Sequence, residues 1–379
     1  MARTDFRLAP VAAAVLLCGC REAAAPRSGL AFSATTAGNH HSCGLLASGS
    51  AYCWGDNTYG QLGNGEAASR TNPVPVSGKL IFVALSAGGS HTCGLTAAGV
   101  AYCWGNNSYH QLGVSDTSAH RVPTRVSGGL TFSHLSAGLV HTCALTAAGA
   151  AYCWGNNAAG QLGSAAATSD SAPVPVSGLL TFRSLSAGRY FTCGLTETGA
   201  AYCWGDNSSG QLGTGDTISS LTPAPVSGGL IFQSVSVGAY HACGLTVAGG
   251  AYCWGYNFSG QLGDGTAADT SMPVPVLAGM SFESLTAGGY HTCGLAQGGA
   301  AYCWGYNAYG QLGNSATSRF TVPSVVLGGV TFQSLGLGYY HSCGAASTGG
   351  AYCWGDNEYG QLGDGTVENR HQPVPVHGP

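Results

Sequence analysis

Charged side chains are scarce in this sequence of 379 residues. Asp, Glu, Lys and Arg make up 7% of it, against about 25% in an average soluble domain, and Lys79 is the only lysine. The formal net charge is −4, and the arginines are scattered, so no basic stripe is present that could neutralise phosphate groups. Nucleic acid is therefore excluded as an expected partner, and so is attachment to a membrane through a polybasic surface.

The N-terminal end has an apolar run, but a short one. Arg3 and Arg7 precede the apolar stretch 8–17, which suits the core of a signal peptide and is too short to span a bilayer. We therefore expect residues 1–19 to be a signal peptide that the mature protein lacks.

The run ends in Leu17-Cys18-Gly19-Cys20, which resembles the lipobox of bacterial lipoproteins. In a lipobox, a small residue precedes the cysteine that is acylated and becomes the mature N-terminus. The resemblance implies a lipid on Cys20 as the only membrane contact, with a flexible tether over residues 20–28. The alternative is an ordinary signal peptide and a soluble secreted protein. Either signal implies an oxidising compartment, in the bacterial cell envelope or outside the cell.

Residues 29–379 consist of seven copies of a 50-residue unit. Each copy contains the pentapeptide Ala-Tyr-Cys-Trp-Gly, and no insertion or deletion separates one pentapeptide from the next. The pentapeptides begin at Ala51, Ala101, Ala151, Ala201, Ala251, Ala301 and Ala351. A fixed period of this length predicts a propeller, a solenoid or another array with one continuous core.

The second copy illustrates the four short β-strands that each unit predicts. Apolar runs at 80–86, 91–96 and 100–104 are separated by turns that contain glycine. A fourth run at 123–126 contains proline, which suits a strand at the edge of a sheet. Helical periodicity is absent, so the unit is expected to be all-β.

The second and third strands of this copy are expected to form a β-hairpin. The loop between them ends in Gly99, as in hairpins whose last loop residue has a positive φ. Pairing Thr96 with Val100 then places Cys93 opposite Cys103. One face of the hairpin carries the small residues and the other carries the large aromatic ones, which are expected to pack on the next unit.

Four short strands per unit, with one tryptophan in each, predict a seven-bladed β-propeller of four antiparallel strands per blade. Three segments of the second copy, 91–95, 102–107 and 111–113, resemble the regulator of chromosome condensation repeat family. The resemblance covers residues 29–379 and implies the same propeller. It also implies that repeats and blades are out of phase, so that both termini would share one blade. This fold hosts unrelated activities, so the resemblance predicts the fold and not the function.

Fourteen of the sixteen cysteines occur in pairs ten residues apart, one pair per copy. The hairpin register places the two cysteines of each pair directly across from each other, at a Cα separation that suits a disulfide. The expected disulfides are Cys43–Cys53, Cys93–Cys103, Cys143–Cys153, Cys193–Cys203, Cys243–Cys253, Cys293–Cys303 and Cys343–Cys353.

A metal site is the alternative use of these cysteines. His91 would share a strand face with Cys93 and lie opposite Cys103, giving three possible zinc ligands. Phe191 replaces this histidine in the fourth copy, although both cysteines of that copy remain, which favours the disulfide. The equivalent histidines are then expected to be core groups bonded to backbone between blades, with no metal or other cofactor. They are His41, His91, His141, His241, His291 and His341.

The turn after each Trp-Gly contains Asn, Gly and Gln, as in Asn57, Gly60 and Gln61. It lacks the lysine and the helix of a phosphate-binding loop and the Asp series of a calcium-binding loop. We expect a structural turn, in which glycine adopts a positive φ and glutamine satisfies buried backbone groups. His110 replaces the turn glycine in the second copy and is expected to adopt a positive φ as well.

Positions that differ between the copies are the candidates for recognition, because identical positions build the scaffold. Three sets vary: the residue after Trp-Gly, the pair before the turn glycine, and the pair before His-x-Cys. In copies five to seven these sets are rich in aromatic residues, which anchor protein interfaces and also stack on sugars. We name these residues the aromatic arc: Tyr240, Tyr256, Phe258, Tyr290, Tyr306, Tyr309, Tyr339, Tyr340 and Tyr359. The alternative is that the rings fill gaps between blades.

The sequence predicts a binding scaffold for a protein or glycan ligand and not an enzyme. No unrepeated carboxylate pair, nucleophile with a base, or metal set can be assembled from it. Glu197, Glu283, Arg183 and Arg189 are the unrepeated charges at which chemistry would first be sought. One secreted bacterial β-lactamase inhibitor has a similar propeller, so inhibition of an envelope or secreted enzyme is one alternative function. A carbohydrate-active enzyme is the other.

Overall fold

The computed structural model describes residues 30–165, 169–277, 279 and 281–378. The expected signal peptide 1–19, the lipidation site Cys20 and the tether 20–28 lie outside these residues. Within the described part, the regular elements are β-strands. It contains no helix of the length and apolar character needed to cross a membrane.

Each copy of the repeat forms four strands, which we call a, b, c and d in every blade. The strands of blades one to four are β1 (Phe32–Ala37), β2 (His41–Leu46), β3 (Ala51–Gly55), β4 (Arg70–Pro75), β5 (Phe82–Ala87), β6 (His91–Thr96), β7 (Ala101–Gly105), β8 (His120–Arg125), β9 (His134–Ala137), β10 (His141–Leu145), β11 (Ala151–Asn156), β12 (Ser169–Pro175), β13 (Ser184–Ala187), β14 (Phe191–Leu195), β15 (Ala201–Gly205) and β16 (Ser220–Pro225). The strands of blades five to seven are β17 (Phe232–Val237), β18 (His241–Thr246), β19 (Ala251–Gly255), β20 (Thr270–Pro275), β21 (Phe282–Ala287), β22 (His291–Ala296), β23 (Ala301–Gly305), β24 (Phe320–Val325), β25 (Phe332–Leu337), β26 (His341–Ala346), β27 (Ala351–Gly355) and β28 (Arg370–Pro375).

The blades close into a ring around a central channel. Every blade is a sheet in the order a-b-c-d, and its adjacent strands are antiparallel. The a strands of neighbouring blades contact one another all the way round, including β25 and β1 across the chain ends. The proline-bearing d strands form the outer edges, where a missing N–H is tolerated. The predicted seven-bladed propeller with four antiparallel strands per blade is confirmed.

The hairpin register predicted from the sequence is confirmed in strands b and c. In blade two, Cys93 lies opposite Cys103 and Leu95 lies opposite Ala101. A disulfide joins the two cysteines in each of the seven blades, at Cα–Cα distances of 4.0–4.1 Å. Each disulfide therefore closes a loop inside one blade, and none of them links two blades.

Repeats and blades are in phase, so the expectation that both termini share one blade is wrong. β1 and β28 belong to different sheets, in blades one and seven. Contacts between blades seven and one close the ring instead, including a backbone hydrogen bond from the Tyr339 N–H to the Gly38 carbonyl at 3.2 Å. Trp54 Nε1 donates to the Gln361 carbonyl at 2.8 Å, and Ser42 Oγ is hydrogen-bonded to His341 Nε2 at 2.8 Å. The same tryptophan-to-glutamine bond joins each of the six remaining pairs of neighbouring blades.

The large aromatic face of each blade packs on the blade before it, not on the one after it as the sequence pattern suggested. Trp104 of blade two is fully buried in one cluster with the blade-one residues Cys43, Cys53 and Leu62. A disulfide is compact and apolar, so it offers a flat surface to the indole ring. All seven tryptophans lie in the core, since each of them is 0% exposed.

The histidines before the cysteines bond to a hydroxyl of the following blade, not to backbone as expected. His41 Nε2 lies 2.8 Å from Thr92 Oγ1, which in turn donates to the Gln61 carbonyl at 2.9 Å. The hydroxyl thus stands between the ring and the backbone, and the histidine must carry its proton on Nε2. Burial lowers the pKa of His91, the equivalent group of blade two, to about 3. These histidines are therefore neutral at physiological pH.

The junction between blades four and five departs from this pattern on both sides at once. Phe191 stands where the histidine would be, and Ala242 stands where its hydroxyl partner would be. Both side chains are fully buried and pack in one apolar cluster. The paired exchange leaves neither a hydroxyl nor a ring nitrogen without its partner, and such orphaned groups are costly in a core.

Candidate functional site

All three variable sets lie at one end of the propeller, which we call the loop face. The a–b loops and the c–d loops emerge there together, because strands a and c end at the same edge of an antiparallel sheet. The two loops are joined within each blade: the Tyr256 N–H donates to the Tyr240 carbonyl at 2.9 Å, and the Asp56 N–H donates to the His40 carbonyl at 2.8 Å. The a–b loops surround the channel, and the c–d loops lie farther out.

Side-chain amides fix the shape of the c–d loops. Asn57 Oδ1 accepts the Leu62 N–H at 3.0 Å, and Gln61 Oε1 accepts the Tyr59 N–H at 2.9 Å. The same pair of bonds recurs in the other blades, for example in blade seven. His110 has a φ of 62°, as predicted for its place in the turn. The loops therefore share one backbone shape, and their differences lie in the exposed side chains.

The mouth of the central channel is a depression lined by all seven a–b loops. Most of its lining is glycine, alanine and backbone. The glycines are needed for close packing, since a Cβ on Gly38 would collide with the His41 ring and with the Gly88 carbonyl of the next blade. Arg189 and Tyr339 are the largest residues of this lining, which also includes Asn39, Leu139, Val237 and Leu337.

Eight of the nine residues of the aromatic arc form a continuous ring cluster on the loop face. Neighbouring ring centroids lie 4.9–6.5 Å apart. We call Tyr240, Tyr256, Phe258, Tyr290, Tyr306, Tyr309, Tyr339 and Tyr340 the eight-ring cluster. Its tyrosines are half-buried and Phe258 is 64% exposed, so a large part of the cluster faces solvent.

Tyr290 is the centre of this cluster. Its ring lies 5.9 Å from Tyr240 and 6.0 Å from Tyr340, the equivalent residues of the two neighbouring blades. Its hydroxyl is 3.3 Å from that of Tyr339. Burial raises the pKa of Tyr290, and burial likewise raises the pKa of Tyr340 to about 12. The phenols therefore remain protonated and can donate hydrogen bonds to a ligand.

Tyr359 does not join the cluster. Its ring packs on His40 of blade one, with centroids 5.0 Å apart, and it is 37% exposed. His40 Nδ1 also lies 3.7 Å from a carboxylate oxygen of Asp356, which is nearly buried. The structure thus places Tyr359 at the junction of blades seven and one, apart from the other arc residues.

The structure adds two arginines to the cluster that the sequence pattern did not assign to it. The Arg189 guanidinium carbon lies 4.8 Å from the Tyr240 ring centroid and 5.2 Å from that of Tyr190. Arg319 lies 5.5 Å over Phe258, and its Nη1 donates to the Phe258 carbonyl at 2.6 Å. Arg189 stood out as an unrepeated charge, whereas nothing in the sequence linked Arg319 to a residue of the preceding repeat.

Among the described residues, the remaining blades carry no comparable ring cluster. Tyr59 and Tyr109 occupy c–d loops of blades one and two and are 41% and 47% exposed. Neither of them makes a ring contact with another aromatic residue within the described part of the chain. The loop face is therefore asymmetric, with aromatic character concentrated on blades five to seven.

Two of the unrepeated charges, Arg183 and Arg189, lie at opposite ends of the ring. Arg183 donates to the carbonyls of Phe232 and Gln233 in the next blade, both at 2.9 Å, at the end of the ring opposite the loop face. Arg189 lies on the loop face. Among residues 30–165, 169–277, 279 and 281–378, no group of three or more His, Cys, Asp and Glu side chains could hold a metal ion.

Comparison with protein families identifies the class of this propeller. Two models described as the regulator of chromosome condensation (RCC1) repeat match the chain seven times. One matches residues 32–61, 82–111, 132–161, 182–211, 232–261, 282–311 and 332–361, and the other matches from 48–95 to 348–379. The chain belongs to the RCC1 repeat family. A search of curated proteins gives no match to it.

Solved structures share the fold at low sequence identity. Yeast RCC1 (Prp20), in its complex with Kap60, has a TM-score of 0.78 at 20% identity over 99% of this chain and 91% of that one. Human WBSCR16 has a TM-score of 0.75 at 21% identity over 82% and 86%. The ectodomain of the Physcomitrella patens receptor kinase CR4 has a TM-score of 0.56 at 28% identity over 85% and 71%.

Proposed function

We propose that this chain is an extracytoplasmic, lipid-anchored scaffold that binds a protein or glycan ligand through the eight-ring cluster on its loop face. The observation that carries the proposal is the cluster itself: partly exposed rings from three consecutive blades touch one another. The exposed Tyr59 and Tyr109 of the same face make no such ring contact among the described residues. Rigid aromatic side chains with hydroxyl groups are preferred anchors of binding surfaces, because they bury a large area at a small cost in conformational entropy.

The disulfides support the proposed compartment. Seven of them, one per blade, are typical of proteins from an oxidising environment. The ectodomain of the Physcomitrella patens receptor kinase CR4 contains a similar propeller, so the fold is compatible with an extracytoplasmic location. The Leu17-Cys18-Gly19-Cys20 sequence supports the lipid anchor on Cys20.

The rest of the molecule is suited to holding such a surface still. Every c–d loop is fixed by its own asparagine and glutamine, and every blade is bonded to the next through a buried tryptophan. A preorganised surface loses little entropy when a ligand binds. The yeast relative was solved in complex with a protein, Kap60, which supports a protein as the ligand. An enzyme that the propeller inhibits is one such ligand.

Ligand capture by the full chain tests the proposal. The purified protein, Tyr290→Ala and Tyr340→Ala would each be incubated with envelope and secreted proteins and with a glycan array. We expect each substitution to weaken binding by more than about 1 kcal/mol, roughly fivefold. Tyr59→Ala and Tyr109→Ala are matched controls, since they remove exposed loop-face tyrosines outside the cluster.

Thermal unfolding of the same variants separates binding from packing. A cluster that binds ligand loses affinity while the melting temperature changes little. If Tyr290→Ala instead destabilises the fold by the roughly 3–5 kcal/mol typical of a core aromatic residue and leaves binding unchanged, the cluster is packing and the proposed site is wrong. Intact mass after detergent extraction tests the anchor, and a non-lipidated N-terminus would remove it.

A further inference from the structure

We propose that the ligand of the eight-ring cluster is an acidic segment of a protein, held at its two ends by Arg189 and Arg319. This inference rests on the proposed binding function and adds the chemistry of the partner. It follows from where the two arginines lie, from what they lack, and from the orientation of the rings between them.

The two guanidinium groups stand at the inner and outer ends of the blade-five part of the cluster. Arg189 stacks on Tyr240 at the channel mouth, and Arg319 stacks on Phe258 in the outer loop of blade five. The chain of rings from Tyr240 through Tyr256 to Phe258 connects them, with centroid distances of 6.1 and 6.5 Å. A ligand lying along these rings would reach both positive charges.

Neither arginine has an acidic partner among the residues that the structure describes. The described residues contain no carboxylate within ion-pair distance of either guanidinium, whereas Arg70 and Arg370 both have one. Nε of Arg189 is buried and makes no hydrogen bond. In a chain with a net charge of −4, two arginines without carboxylate partners beside an exposed aromatic surface are complementary to an anionic ligand. Guanidinium groups are suited to carboxylates, which they bind through paired N–H donors.

The ring geometry favours a protein segment over a sugar. Tyr339 and Tyr340 are nearly perpendicular, at 87°, and Tyr290 meets Tyr256 at 67° and Tyr306 at 61°. These angles create notches between ring edges. Two pairs are closer to parallel, Tyr256–Phe258 at 26° and Tyr290–Tyr340 at 18°, but the steep pairs between them prevent the eight rings from forming one flat platform for a pyranose. None of the eight side chains of the cluster is a carboxylate or an amide that could accept hydrogen bonds from sugar hydroxyls. The nearby carboxylate of Asp356, which helps to raise the pKa of Tyr340, is buried and accepts a hydrogen bond from Gln361 Nε2 at 2.7 Å. Its protonated phenols and its two arginines are instead matched to carboxylate and carbonyl oxygens.

Fluorescence anisotropy with polymers of defined charge tests the inference. The probes are a labelled random copolymer of glutamate and tyrosine, labelled polygalacturonate as an acidic glycan, and labelled polylysine. The proteins are the full chain, Arg189→Gln, Arg319→Gln, the double variant, and Arg125→Gln. Arg125 is an exposed arginine on the outer strand β8, so its substitution removes the same charge away from the cluster.

We expect the glutamate–tyrosine copolymer to bind at low salt and to be released at high salt. Each of Arg189→Gln and Arg319→Gln should weaken this binding by about tenfold, and Arg125→Gln should leave it within about twofold. Polylysine should not bind. Thermal unfolding confirms that each variant is folded before its affinity is measured.

Three results would overturn the inference. The first is no binding of the copolymer, or equal loss in Arg125→Gln. The second is tight binding of polygalacturonate alone, which would make the ligand an acidic glycan. The third is capture of a natural ligand that depends on Tyr290 but not on either arginine. The second and third results would leave the proposed binding function standing, whereas a natural ligand insensitive to Tyr290 would contradict that function itself.

Discussion

Transplanting the junction of blades four and five into another junction should show that the buried histidine and its hydroxyl partner work as one unit. In blades two and three the unit is His91 Nε2 hydrogen-bonded to Thr142 Oγ1 at 3.0 Å, and Thr142 donates to the Gln111 carbonyl at 2.9 Å. His91→Phe and Thr142→Ala together reproduce the natural pair of Phe191 and Ala242.

The magnitudes follow from what each substitution leaves behind. Thr142→Ala deprives the buried His91 Nε2 of its hydrogen-bond partner, at a cost of about 1–3 kcal/mol, while the Gln111 carbonyl keeps its bond from Trp154. His91→Phe pushes a larger ring against the threonine hydroxyl, and overpacking of this kind costs about 1–3 kcal/mol. The double variant has neither fault, so it should be more stable than the sum of the two losses predicts, by about 1–3 kcal/mol.

Guanidinium unfolding of the disulfide-bonded protein, followed by tryptophan fluorescence, measures the four members of this cycle. The reciprocal pair, Phe191→His with Ala242→Thr, is the control, and it should install the missing hydrogen bond with the same sign of coupling. Losses that simply add, to within about 0.5 kcal/mol, would refute the account of the histidine and the hydroxyl as a unit.

Three further outcomes are expected. Burial lowers the pKa of His141, one of the six buried histidines, to about 3, so below about pH 6.5 the unfolded chain takes up protons that the folded chain does not. The free energy of unfolding should therefore be highest above that pH and fall toward pH 3 by up to about 1.4 kcal/mol per pH unit per histidine. A melting temperature that stays constant from pH 7 to 4 would contradict this. Replacing both Cys93 and Cys103 by alanine should cost about 3 kcal/mol, from the loop of about eleven residues that their disulfide closes, and an unchanged denaturation midpoint would show that the bond adds no stability. Val376→Ala should lower the free energy of unfolding by about 2 kcal/mol, because Val376 is fully buried in the core between blades seven and one. The control Val325→Ala, at an outer-strand position that is 45% exposed, should lower it little. Equal effects of the two substitutions would show that this core does not secure the ring closure.

Local chemistry explains why so much of the fold could be predicted. The register of each hairpin depends on a short loop and its final glycine, both visible in the sequence, so the opposition of Cys93 and Cys103 followed directly. The turn conformation of His110 is equally local. The phase of the repeats relative to the blades is not a local property, because it depends on which strands pair across a linker. It was taken from a family resemblance, and it was wrong.

Contacts between blades were the harder part of the site. The partner of His41 is a hydroxyl 51 residues away, at a position that no short-range pattern connects to it. The sequence does contain a signal of this contact, because Phe191 and Ala242 replace the histidine and its hydroxyl partner together. That signal can be recognised only once the spacing of 51 residues between the two positions is known. Arg319 reaches back to Phe258 in the preceding repeat through a long side chain, which periodicity alone does not reveal. The aromatic arc could be found because it breaks the repetition.

The agreement of blade and repeat also bears on how such a molecule can be rearranged. Each covalent linker joins one complete sheet to the next, and blades one and seven meet at a junction held by the same tryptophan bond as the others. The ring therefore has no privileged starting blade. Circular permutants opened at other linkers should assemble the same ring, and recombination that gains or loses one 50-residue unit changes the number of blades without leaving a strand unpaired.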